Sequence, residues 1–162
     1  MSVDPANDVM EKTDEAVALV LSGEINSAAL VLTKKNGEKV PASIVRGFDA
    51  GLLELPYIDV STVEADPRDT HFANFDASLV IEVRTHAEDI PRSEHKRLAG
   101  LVGAALWRTA SEDDDTLIFA DLLTAAVAGY TALYWTPGKT SRMIDGVERV
   151  TRFEGSIFAR CA

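Results

Sequence analysis

The chain has 162 residues, of which 46% are hydrophobic, enough for one domain with its own core, and a formal charge of −10 from 26 acidic and 16 basic residues. That acid excess argues against a general nucleic-acid binder, because neutralising phosphates takes a surplus of Lys and Arg. The single cysteine, Cys161, excludes an intrachain disulfide, and no apolar run approaches the roughly 18 residues of a membrane span. The first ten residues carry acids where a signal peptide has a basic region, so a cytoplasmic chain is the expectation.

From Pro5 to Leu21, Val9, Met10, Ala16, Val17, Val20 and Leu21 recur near a 3.6-residue period, which predicts an amphipathic helix. Asp4 suits its N-cap, Pro5 the first helical position and Gly23 its stop. Short strand-like pieces follow at Ala28–Thr33 and Pro41–Arg46, on either side of an Asn36-Gly37 turn. Gly47 to Gly51 interrupts them, and Leu55–Val63 reads as a further strand with Pro56 at its start or on an edge. The polar stretch Glu64–Phe75, with Pro67, is expected to be a long exposed hairpin loop.

Asp76–His86 is the clearest strand: Leu79, Ile81 and Val83 alternate with Val80, Glu82 and Arg84. Asp89-Ile90-Pro91 opens the clearest helix, with Leu98, Leu101, Val102, Ala105 and Leu106 at i, i+3, i+4, i+7 and i+8 spacing. Ser111–Asp115 reads as a break whose acids cap a shorter helix over Thr116–Val127. Strands are expected at Tyr130–Trp135, at Ser141–Ile144 and from Val147 to Ala159, with turns at Pro137-Gly138 and Asp145-Gly146. Strands and helices in separate runs predict a single α+β domain over 1–162, a mixed and mainly antiparallel sheet packed against two or three helices.

No constellation of catalytic residues emerges. Gly138-Lys139-Thr140 matches the tail of a phosphate-binding loop, but the position of its first glycine is Leu133 and a hairpin, not a helix, should follow. His71, His86 and His95, even with Glu94 or Asp89, lack the short repeated spacing of a zinc site and read as solvated or capping residues. Asp113, Asp114 and Asp115 lack the glycine and distal glutamate of a calcium loop. Ser156 lacks the Gly-x-Ser-x-Gly spacing of a nucleophile elbow. Trp107, Trp135, Tyr130, Tyr134, Phe153 and Phe158 are expected as core or interface anchors. Glu82, Arg84, Arg152 and Glu154 stand at strand positions, where alternating charge marks cross-strand pairs on a solvated face or a subunit interface. We therefore expect no enzyme, no cofactor and no metal.

In this order the segments resemble the tail terminator (tail completion) proteins of long-tailed phages and prophages. The resemblance lies in an N-terminal helix leading to Leu55-Pro56-Tyr57-Ile58-Asp59-Val60, the strand Ala77–Thr85, and the helix with His95 and Leu98 to Leu106. The closing region from Asp145-Gly146-Val147 to Thr151-Arg152-Phe153 completes it. It implies a structural protein of the virion, made in the host cytoplasm, whose copies close into a ring, usually a hexamer. Such a ring caps the tail tube and meets head and neck proteins, with no sequence-specific nucleic acid and no membrane. Another head–tail connector, a small-ligand binding module and a hydrolase with a dispersed site are the alternatives.

Overall fold

The computed structural model describes residues 4–47, 54–68, 74–111 and 114–161. Helix α1 (Pro5–Glu24) starts where the Asp4 carboxylate accepts the Ala6 N–H, and it runs one residue past Gly23. A two-stranded antiparallel ribbon follows, β1 (Val31–Thr33) against β2 (Lys39–Pro41), turned by Asn36-Gly37 with Gly37 at φ +90. The main sheet is built from β3 (Ser43–Arg46), β4 (Tyr57–Pro67), β5 (Asn74–His86), β8 (Tyr130–Asp145) and β9 (Glu148–Cys161), in the order β3-β4-β5-β9-β8. Every pairing in it is antiparallel except β3 with β4. Between its halves come α2 (Arg92–Leu106), a hairpin of β6 (Thr109–Ser111) and β7 (Asp114–Leu117), and α3 (Phe119–Ala126). The expected α+β class with a mixed, mainly antiparallel sheet is what forms.

The core sits on one side of the sheet. Ile58 and Val60 of β4, Phe75, Ala77, Leu79, Ile81 and Val83 of β5, and Phe153, Ile157 and Ala159 of β9 all point that way. They pack against Val17 and Leu21 of α1, Leu98, Val102 and Leu106 of α2 and Phe119 and Leu123 of α3. Burying each large side chain contributes about 1.5–3 kcal/mol. Leu101 stands only partly buried beside this cluster. Trp135 of β8 lies edge-on to Phe119 at 5.0 Å between centroids and donates its indole N–H to the Leu106 carbonyl at 2.9 Å. It fits only because residue 155 is glycine: a Cβ there would stand 2.2 Å from the indole ring.

Several boundaries differ from the sequence reading. Of the expected loop Glu64–Phe75, Glu64–Pro67 and Asn74–Phe75 are strand, extending the β4–β5 ladder, and residues 69–73 lie outside the described ones. Backbone pairing governs here, since polar side chains that point to solvent cost the ladder nothing. The expected turn at Pro137-Gly138 is a bulge within one continuous β8. On an edge strand the missing proline N–H breaks no pair. The expected helix Thr116–Val127 is shorter, because a hairpin takes up its start. Its N-cap is Ile118, whose own side chain makes no cap hydrogen bond, and Asp113 lies outside the described residues. Pro41–Arg46 divides between β2 and β3. The interrupting Gly47–Gly51 lies outside the described residues beyond Gly47.

Among the buried polar side chains, Asp14 and His95 tie helices to the sheet. Asp14 of α1, 7% exposed, accepts the Thr62 N–H at 2.6 Å beside a bulge in β4. His95 of α2, 4% exposed, is not the solvated or capping histidine expected. Its Nδ1 bonds Thr85 of β5 at 2.7 Å and its Nε2 bonds Thr151 of β9 at 2.8 Å. A neutral ring donating from one nitrogen and accepting at the other satisfies both hydroxyls. Burial, helped by the charge of Arg149, holds its pKa below the usual histidine value.

Burial pushes the Asp14 carboxyl up to about 6, against the hydrogen bond from Thr62 and with the charges of Glu11 and Asp59. The folded state therefore takes up this proton more readily than the unfolded chain. Its contribution to stability is complete below about pH 4 and is lost as pH rises through about 6. Asp14→Asn keeps an acceptor for Thr62 and removes the charge. In urea titrations it should exceed the parent in stability by about 1–3 kcal/mol at roughly pH 8 and match it near pH 4. His95 acts in the opposite sense: its depressed pKa makes stability fall as pH drops below about 6.5. His95→Ala should cost about 2–4 kcal/mol at neutral pH by leaving two buried hydroxyls unpaired, and should remove that acid limb.

Candidate functional site

The face of the sheet turned away from the helices carries the charges singled out in the sequence. Strand register arranges them in rows that cross the sheet. One row runs Ser43, Tyr57, Arg84, Val150, Met143, and the next runs Val45, Asp59, Glu82, Arg152, Ser141. Glu82 and Arg152 are thus direct cross-strand partners, and Glu154 stands one pleat further along β9. Val45, Tyr57, Val80 and Val150 lie among the charged side chains on this face and are buried, yet none belongs to the helix-covered core. The stems of the Arg and Glu side chains are long enough to cover them.

Arg84 organises the network. Its guanidinium reaches Glu82, Asp145 and Glu148, each at 3.1 Å, and its side chain is only 16% exposed. Burial works against its charge. The hydrogen bonds to Asp145 and Glu82 and the charges of Glu82 and Glu148 outweigh it and hold the pKa above the ordinary arginine value. Arg152 bonds Glu154 at 3.2 Å and approaches Glu82 at 3.9 Å, and Lys139 adds a contact to Glu154 at 3.6 Å. The carboxylates Asp59, Glu82, Asp145, Glu148 and Glu154 outnumber the cations Arg84, Arg152 and Lys139, so the face stays net acidic. Burial raises the Asp59 pKa, with the Ser61 hydrogen bond opposing and the Glu82 charge reinforcing it. Burial likewise raises that of Tyr57.

All four residues selected from the sequence meet here. Pattern reading missed Tyr57, Asp59, Asp145 and Glu148; the hairpin at Asp145-Gly146 is the signal that would have brought the last two beside Arg84. The edges flanking this face are β3 on one side and β8 on the other. Along β8 only Tyr130, Ala132 and Trp135 are buried. Tyr134 (71%), Ile144 (65%) and Met143 (50%) are largely exposed, as are Val147 just past the strand and Trp107 at the end of α2. Tyr134 and Trp107 are therefore surface residues, not core.

The remaining chemical candidates disperse. Gly138-Lys139-Thr140 lies in the β8 bulge with no helix after it, and a Cβ at Gly138 would press on the Glu154 carbonyl at 2.8 Å. His86 sits 3.9 Å from Asp89, whereas Glu94 accepts the Thr33 N–H and pairs with Arg97. The ring nitrogens of His95 are taken by threonines, and His71 lies outside the described residues. Among the described residues no cluster of three or more His, Cys, Asp or Glu has the geometry to hold a metal ion. Nor is any helix among them long and apolar enough to cross a membrane. Comparison with protein-family models and with curated proteins returns no match to this chain.

The burial of Arg84 sets the energetic scale of this face. Arg84→Gln leaves Glu82 and Glu148 without their shared cation and should cost about 2–4 kcal/mol in denaturant unfolding. Arg152→Gln, at a more exposed position, should cost no more than about 1 kcal/mol, and less in high salt.

Proposed function

We propose that this chain is a structural protein of virion assembly, a tail terminator whose copies close into a ring that caps a phage tail tube and joins it to the head. The observation that carries the reading is the one-sided sheet. Helices cover one face, while among the described residues no element covers the opposite charged face or pairs with the long β8 edge. The order of segments that resembles the tail terminators supplies the family, and the bare face and edge are surfaces suited to assembly.

A ring needs two different patches on each subunit that fit one another. The β3 and β8 edges meet that requirement, being opposite ends of one sheet. Exposed Tyr134, Met143 and Ile144 offer apolar contact along β8, and the Glu82–Arg84–Arg152–Glu154 face borders it. Association brings together acidic subunits of charge −10, so repulsion opposes it at low salt and screening favours it.

Sedimentation across concentration and salt, with native mass spectrometry, should find a closed oligomer, a hexamer in the first instance, that grows in population at moderate salt. Electron microscopy should place it on the ends of purified tail tubes. Tyr134→Glu with Met143→Glu should leave a folded monomer that no longer assembles. A parent chain that stays monomeric under every condition and binds no tube would overturn the proposal.

A further inference from the structure

The helix-covered side of the sheet ends in a cleft of about 300 Å³ between the start of α2 and the paired ends of β8 and β9. Four cationic side chains line it: Arg92 and Lys96 from α2, Arg142 from β8 and Arg149 from β9. No Asp or Glu lines it, on a chain with ten more acids than bases. Strand register places Arg142 opposite Thr151 and Arg149 opposite both Ile144 and Thr85, so both arginines share the face that α2 covers. Among the described residues Arg92, Lys96 and Arg142 have no ion-pair partner. Arg149 is held in place by donating to the Ile90 carbonyl at 2.6 Å.

This arrangement is unfavourable when the cleft holds no anion. Like charges gather in a concave site, and two of them sit on the opening turns of a helix, whose positive end favours anions. No side chain caps that end, and the one acid of the first turn, Glu94, is occupied by Thr33 and Arg97. A single carboxylate would balance one of these cations. A phosphate carries up to two charges and several acceptor oxygens, and arginines match it with paired N–H donors.

We propose that the cleft between α2 and the β8–β9 ends is a binding site for a small phosphate-bearing anion, held by Arg92, Lys96, Arg142 and Arg149. Ile144, exposed at its rim and opposite Arg149, accommodates a modest apolar body on such a ligand. The cleft lies on the face opposite the Arg84 network, and the proposal does not depend on ring formation.

The test uses inorganic pyrophosphate, calorimetry and amide chemical shifts on the whole chain. One anion should bind per chain with shifts centred on residues 92–96, 142–144 and 149–151, and affinity should fall as salt rises. Arg142→Ser and Lys96→Gln, both exposed and without internal partners, should each weaken binding by about tenfold or more with unfolding midpoints unchanged. Arg160→Gln, exposed at the far end of β9, removes the same charge and should leave affinity unaltered. Absence of saturable binding, or equal weakening by Arg160→Gln, would overturn the site. Tighter binding of a short DNA duplex than of pyrophosphate would overturn its assignment to a small ligand.

Discussion

The β5–β9 ladder is the constraint on which the rest of the molecule depends. All 13 residues of β5 pair with β9 in one unbroken antiparallel register. Side chains alternate along each strand, so that register sorts both strands at once. Leu79, Ile81 and Val83 fall on the helix side with Phe153 and Ile157, and Glu82 and Arg84 fall on the open side with Arg152 and Glu154. A slip of one residue would bury the charges and expose the core. The register therefore specifies the apolar core and the charged face together.

On the helix side the same alternation leaves polar groups that need partners. Thr85 and Thr151 occupy core-facing positions toward the end of the two central strands, and one histidine ring satisfies both. The Thr62 N–H beside the β4 bulge is met by Asp14. These contacts do more than fill bonding capacity, because each fixes where a helix sits along the sheet. Trp135 does the same for α2 through the Leu106 carbonyl, at a position that glycine at 155 keeps open. Hydrogen bonds add specificity to packing that hydrophobic burial alone leaves adjustable.

The charge of −10 is not spread evenly. Carboxylates outnumber cations on the open face, where Arg84 holds three of them, whereas the charged residues lining the cleft beside α2 are all basic. One chain thus presents an acidic plane and a basic recess on opposite sides of a single sheet. The exposed Tyr134, Met143 and Ile144 lie on the strand that borders both.

Periodicity alone was enough to identify α1, α2 and the strand around Leu79–Val83, because amphipathic patterns follow from which face meets the core. It also selected Glu82, Arg84, Arg152 and Glu154, since charge at alternate strand positions points to one solvated face. Turn chemistry placed Asn36-Gly37 and Asp145-Gly146 correctly and misplaced Pro137-Gly138, because whether a proline interrupts a strand depends on whether that strand is an edge, which is a property of the sheet. The strand content of Glu64–Pro67 was hidden for a similar reason: polar residues extend a ladder only when a partner strand supplies the hydrogen bonds. His95 looked solvated because its partners, Thr85 and Thr151, are 10 and 56 residues away in the chain. The basic cleft was invisible because Arg92, Lys96, Arg142 and Arg149 form no run. Local pattern determined which residues are inside and which are charged at the surface; only the packing of distant segments decided which charges and hydroxyls meet.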